Sequence, residues 1–224
     1  MANYKVIVPF LKAKEGGLSR NPSDNASSDP MPCSFQGKTG YHTNKGITWK
    51  TFKANASLGY PATCEMFVTM PDSVWGLIFK KSYWNYWNSD TNPYQSIADF
   101  LTWCAWGSGT SGSKSFLKKY LASKGIKADS KEEIYNAIIK LADKNEFDTW
   151  NELIEFRRNW YKTLNDYPTF KNGWNNALNS YVEFGIKNYN FKKKRINFKV
   201  IVPIAVILGT GYYLYTEGYF KKLL

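Results

Sequence analysis

One histidine, His42, and three cysteines are all that 224 residues offer of the usual soft metal ligands. A lone histidine leaves a zinc site short of nitrogen donors. Cys33, Cys64 and Cys104 show no C-x-x-C spacing and are read as buried free thiols, and three cysteines are too few for a disulfide-dense scaffold. No metal and no cofactor is therefore expected. The one glycine-rich run, GSGTSGS at 107–113, lacks the Lys-Ser/Thr ending that grips a nucleotide phosphate. Sustained two-residue alternation is missing, as is any internal repeat, so the class is mainly α. The N-terminal apolar stretch, residues 6–11, is too short for a secretory signal and no small-residue cleavage site follows it, so no signal peptide is expected. Acids are scarce: 18 Asp and Glu face 30 Lys and Arg, a net charge of +12.

That excess is concentrated. Half of it sits in residues 192–224, where Lys192, Lys193, Lys194, Arg195 and Lys199 precede an uncharged run, 200–216, ending in Tyr212, Tyr213 and Tyr215. Seventeen residues is the lower edge of a bilayer-spanning helix, and tyrosines at its end suit an interfacial belt. The expectation is a body over 1–187, a basic linker over 188–199, a transmembrane or membrane-inserting hydrophobic helix over 200–216 and a short basic tail over 217–224. Positive charge alone is weak ground for nucleic-acid binding, and none is expected. Aromatics make up 17% of the chain, a surplus that calls for flat ligands, a membrane edge or a ring-rich core.

Along the body, residues 4–14 read as a short helix closed by Gly16 and Gly17, which would supply positive φ. Residues 18–46 form a long irregular loop with room for a small β-hairpin. Helices are expected to restart at 48–54 and at Pro71-Asp72, with 97–106 apolar on nearly all sides and thus central. A flexible linker at 107–112 follows. Ser113 would cap a helix to Gly125, Ser130 with Glu133 forms a capping box, and two more amphipathic helices, 148–164 and 172–186, are separated by Pro168.

The chemistry lies in the loop and its entry. Glu15, at a helix C-terminus beside apolar residues, has both desolvation and the helix dipole opposing its ionisation, so it can stay protonated and donate to a leaving oxygen. Asp24 on the following loop, with the Thr43 hydroxyl, fits a group that holds water on the opposite face of a sugar. Trp49, Trp84, Trp87, Trp103 and Trp106 could stack on sugars. Trp84 and Trp87, in the polar stretch YWNYWNSD, are the preferred platforms, whereas Trp103 and Trp106 are assigned to the core. His42 and Asn44, flanking Thr43, are further substrate-binding candidates.

EGG at 15–17, NPSD at 21–24 and TNKGIT at 43–48 resemble the N-terminal signature of the phage N-acetylmuramidases of glycoside hydrolase family 108, lysozyme-like endolysins. The resemblance runs over about residues 4–178 and takes in Tyr83, Trp84, Ile97, Ala98, the Gly107-Ser108-Gly109 turn, Arg157, Tyr161, Leu164, Pro168, Phe170, Gly173 and Trp174. It implies a lysozyme-like helical domain cleaving the β-1,4 bond between N-acetylmuramic acid and N-acetylglucosamine in bacterial peptidoglycan, with Glu15 as general acid, Asp24 activating water and Thr43 assisting. An insertion over 25–42 departs from the pattern and makes Asp29 a rival for Asp24. Trp103, Gly107 and Ala177 stand where the family commonly has Asp, Asn and Arg.

The implied role is wall degradation at lysis or entry, membrane-associated in the host envelope or in a phage virion with other virion proteins as partners. The alternative is a non-catalytic virion or envelope protein that binds wall and anchors in membrane. The cations before the hydrophobic run favour a cytoplasmic body, which could not reach the wall. Release through a membrane lesion, packaging in a virion, or the opposite orientation each resolves that conflict.

Overall fold

The computed structural model describes residues 1–22, 25–29, 31 and 33–191. Asp24 and the 200–216 run lie outside the described residues. Met1–Asn190 forms one compact unit. Among the described residues no helix is long and apolar enough to cross a membrane.

The unit is mainly helical, as expected. Helix α1 (Val8–Lys14) is followed by two short antiparallel hairpins, β1 (Cys33–Phe35) with β2 (Lys38–Tyr41) and β3 (Thr43–Asn44) with β4 (Ile47–Thr48). Helices α2 (Trp49–Ala54), α3 (Cys64–Val68) and α4 (Asp72–Phe79) follow, then α5 (Gln95–Ser123), α6 (Lys131–Lys144), α7 (Glu146–Tyr161) and α8 (Tyr167–Asn188). The starts are chemically marked. Thr48, Thr63 and Asn145 side chains accept from Thr51, Met66 and Asp148 N–H, and Ser130 with Glu133 completes the capping box. Pro168 sits in the first turn of α8, where its missing N–H costs nothing, so it opens the helix rather than separating it from what precedes.

Ile97, Phe100, Leu101 and Cys104 put α5 at the centre of the core, all fully buried, with α6 and α7 packed against it and α8 against α7. The expected linker at 107–112 is corrected. Helix α5 runs through it with one break, Gly109 at φ 69 and ψ 164, because the small residues there permit a kink without ending the helix. The ending of α1 is corrected too: the chain leaves at Glu15 in extended conformation, φ −85 and ψ 137, and neither Gly16 nor Gly17 has positive φ.

Cys33 and Cys64 are joined in a disulfide with Cα atoms 5.3 Å apart, which corrects the reading of three free thiols. The bond ties β1, inside the 25–42 insertion, to the first residue of α3, a tertiary proximity that a separation of 31 residues does not announce. Cys104 is free and buried.

Asp99 on α5 is fully buried. Its carboxyl oxygens accept from Gln95 Nε2 at 2.9 Å and from the Tyr189 hydroxyl at 2.8 Å, which docks the C-terminal end of α8 onto α5. Burial outweighs both bonds and pushes the carboxyl from 3.8 up to about 8. The folded chain thus keeps a proton that the unfolded chain releases, so this contribution to stability is complete below the ordinary value and is lost as pH rises towards 8. Asp99→Asn is expected to raise Tm relative to wild type progressively between about pH 5 and about pH 8. A difference that stays constant over that range in scanning calorimetry would show that another group titrates.

Candidate active site

The TNKGIT motif is a hairpin in which almost every residue clamps something. Lys45 and Gly46 have φ of 48 and 77, positive at both central positions, as a two-residue hairpin turn requires. Asn44 is 3% exposed and its amide donates to the carbonyls of Phe67 and Val68 at 2.6 and 3.0 Å, closing the end of α3. Lys45 Nζ donates to Met70 O at 2.8 Å and pairs with Asp72 at 3.2 Å, while its own carbonyl accepts from Trp75 Nε1 at 2.9 Å. Ile47 is fully buried and Thr48 caps α2.

Gly46 is the turn residue that faces the acid. A Cβ there would fall against the Glu15 carboxylate and 2.5 Å from Cζ2 of Trp106, so only glycine lets the hairpin seat this close. Glu15, half-buried, accepts on Oε1 from Trp106 Nε1 at 2.5 Å. Trp106 is held in turn by Trp75, Phe79 and Tyr83, with ring centroids 5.5, 5.7 and 4.8 Å away. Desolvation raises the proton affinity of Glu15 above the ordinary carboxyl value, and the Trp106 bond partly opposes that rise. Tyr83, packed edge-on against Trp106, is raised mainly by burial, with the Glu15 charge adding to it.

Thr43 is half-exposed beside this hairpin. Its hydroxyl lies 3.0 Å from His42 Nδ1, and His42 Nε2 lies 2.9 Å from the Asn21 carbonyl. A carbonyl only accepts, so Nε2 carries the hydrogen; in the neutral ring Nδ1 then accepts from Thr43. The backbone joins the same segments, with Ser19 N–H to Thr43 O at 2.8 Å and His42 N–H to Ser19 O at 3.2 Å. The segment around Ser19 is thereby stitched to β3. His42 itself is 2% exposed.

Several assignments change. His42 and Asn44 are buried supports rather than sugar contacts. Trp84 and Trp87 are fully buried, and the Trp84 indole donates to Asp90 at 2.7 Å, so neither ring has a face for substrate. Their polar sequence neighbours are misleading because short turns at 80–91 point Asn85, Asn88 and Asp90 out and the indoles in. Trp106, assigned to the core from its apolar helix, is the ring that touches the acid. Asp29 accepts from Met31 N–H at 3.0 Å and pairs with Lys53 at 3.3 Å; the Met31 bond leads in holding its carboxyl below the ordinary value. That is the bonding of a turn residue.

A cavity of about 470 Å³ opens beside Glu15, between the end of α1, the kink of α5, and α7 with α8. Trp103, Trp106, Trp160 and Trp174 line it together with Arg157. Trp160, Trp174 and Arg157 lie 142 or more positions from Glu15, so no local pattern could have joined them to it. Arg157 and Trp174 were marked by the family resemblance, and Trp160 only by the aromatic surplus.

Residues 8–109 match the family model Glycosyl hydrolase 108. This stretch, a little under half of the chain, is similar to the glycosyl hydrolase 108 family. It carries Glu15, the TNKGIT hairpin and Trp106, and ends at the Gly109 kink, so the family match does not reach α6, α7 or α8. The fold as a whole is shared with SagA of Brucella abortus at a TM-score of 0.57 and 21% identity, over 84% of this chain and 95% of that one. No curated protein sequence matches.

Within the glycosyl hydrolase 108 stretch, Trp106→Phe removes the donor that favours the Glu15 carboxylate and keeps most of the ring packing. Glu15 should then titrate at higher pH than in wild type, as followed by carbon-13 NMR of its side-chain carboxyl. An unchanged midpoint would show that the indole N–H does not tune the acid.

Proposed function

We propose that this chain is a peptidoglycan hydrolase, an N-acetylmuramidase cutting the β-1,4 bond between N-acetylmuramic acid and N-acetylglucosamine. The observation that carries the reading is Glu15: a partly desolvated carboxyl with raised proton affinity, on the edge of a ring-lined cavity, in a glycosyl hydrolase 108 stretch. Protonated Glu15 gives its proton to the glycosidic oxygen as the C–O bond breaks. Water attacks the anomeric carbon from the other face and loses its proton to Asp24, with Thr43 accepting a hydrogen bond from that water. A single displacement of this kind inverts the anomeric centre.

Glu15→Gln keeps the size and the contact with Trp106 but cannot donate the proton. It should lower release of reducing ends from purified peptidoglycan by about 100-fold or more, the scale of lost general-acid catalysis, with Tm within a few degrees of wild type. Undiminished activity would eliminate the assignment. Binding of wall without cleavage by the wild-type chain would instead favour the non-catalytic wall-binding reading.

Envelope association belongs to the same proposal. Five cations followed by the uncharged 200–216 run support membrane attachment, and the Cys33–Cys64 disulfide suits an oxidising space outside the cytoplasm, where the wall is met. The full chain should float with anionic phospholipid vesicles at high salt, and a chain ending at residue 190 should not. Equal behaviour of the two would remove the anchor.

A further inference from the structure

The cavity that Glu15 borders reaches a second charged group for which the hydrolytic step has no use. Arg157, on the inner face of α7, is 3% exposed. Its guanidinium carbon lies 4.9 Å from the ring centroids of Phe116, Trp160 and Tyr161 and 5.6 Å from that of Trp103. One nitrogen, Nη2, donates to Ser108 Oγ at 2.5 Å, immediately before the Gly109 kink. Nε and Nη1 are buried without a hydrogen-bond acceptor. Among the described residues no carboxylate pairs with it. Glu15 makes no ion pair with it either, its carboxyl accepting from Trp106 instead.

A guanidinium is charged at every relevant pH, and burying it without an anion is costly. Ring faces attract the cation but take none of its in-plane N–H bonds. The fork of donors is the shape that a carboxylate fills. The space beside it, about 470 Å³, falls in the range of small-molecule sites, and half-buried Trp160 and Trp174 supply flat walls.

We propose that Arg157 receives a substrate carboxylate in this cavity, one carried on the 3-O-lactyl branch of a muramic acid unit, and so selects carboxylated glycan over neutral N-acetylglucosamine polymer. The proposal rests on the glycan-hydrolase reading above. Two sources offer this chemistry: the lactyl carboxylate of a sugar without its peptide, and the first acidic residue of the stem peptide where the lactyl group is amidated.

The test is calorimetric binding to the wild-type full chain of GlcNAc-β-1,4-MurNAc disaccharides, which contain only the linkage that a muramidase leaves intact. Three carry a free lactyl acid, a lactyl methylamide, or an L-alanyl-D-glutamate branch; the fourth ligand is neutral chitobiose. One of the two carboxylated ligands should bind about tenfold or more tightly than the methylamide and chitobiose, as expected for a charge-assisted bond, and which one it is names the source. Arg157→Met should abolish that difference while leaving affinity for the neutral ligands, and Arg157→Lys should restore part of it. Equal affinity, or none, for all four ligands overturns the proposal with no need for a folded variant, and so does a preference that survives in Arg157→Met. A carboxylate preference in a chain that releases no reducing ends from wall would leave the subsite standing and defeat the hydrolytic reading; cleavage without a preference would do the reverse.

Discussion

The hydrogen bond from the Trp106 indole to Glu15 spans 91 residues, and the site is arranged around it. It requires the end of α1, the tip of the β3–β4 hairpin and the middle of α5 to meet where there is no room for a side chain on the hairpin. Gly46 meets that condition, and the surrounding clamps follow from it. Trp75 fixes the Lys45 carbonyl, Lys45 fixes the start of α4, and Asn44 fixes the end of α3. Once three segments must converge on one carboxyl, each needs its own anchor, and the motif supplies them in consecutive residues.

The same contact sets the acid's character by opposition. Removal from water favours the neutral carboxyl, and an N–H pointed at one oxygen favours the anion. A carboxyl between these two effects can release its proton to a leaving oxygen and still exist as an anion afterwards. Burial alone would leave it reluctant to ionise, and the indole alone would leave it ionised too early.

How far this could be read beforehand depends on whether the cause is local. The Ser130–Glu133 capping box and the apolar spacing of α4, α6 and α7 are short-range signals and were legible, whereas the cap expected at Ser113 is overturned because α5 runs through it. So was the desolvation of Glu15 legible, because a helix end beside apolar residues already implies it. The hairpin motif was recognised as a signature, but its labour was not: that Asn44 closes α3, or that glycine is needed for an approach by Glu15, depends on partners 20 to 60 positions away. The tryptophans went wrong for a related reason. Polarity of sequence neighbours predicts exposure only when backbone direction is regular, and residues 80–91 turn too tightly for that. Arg157 was marked by the family resemblance, but its burial in a ring box has no local sign, and neither has a disulfide between a loop strand and a distant helix.

The ring of His42 donates from Nε2 to the Asn21 carbonyl and accepts at Nδ1, which has a directional consequence for Thr43. With the ring neutral, the threonine proton is spent on the imidazole, so the hydroxyl offers lone pairs to a further partner. A water arriving there is met by an acceptor and must bring its own hydrogen, which fixes the sense in which it can sit. A main-chain oxygen 21 positions earlier thus acts as the tumbler of a lock, setting the polarity of a side chain it never touches.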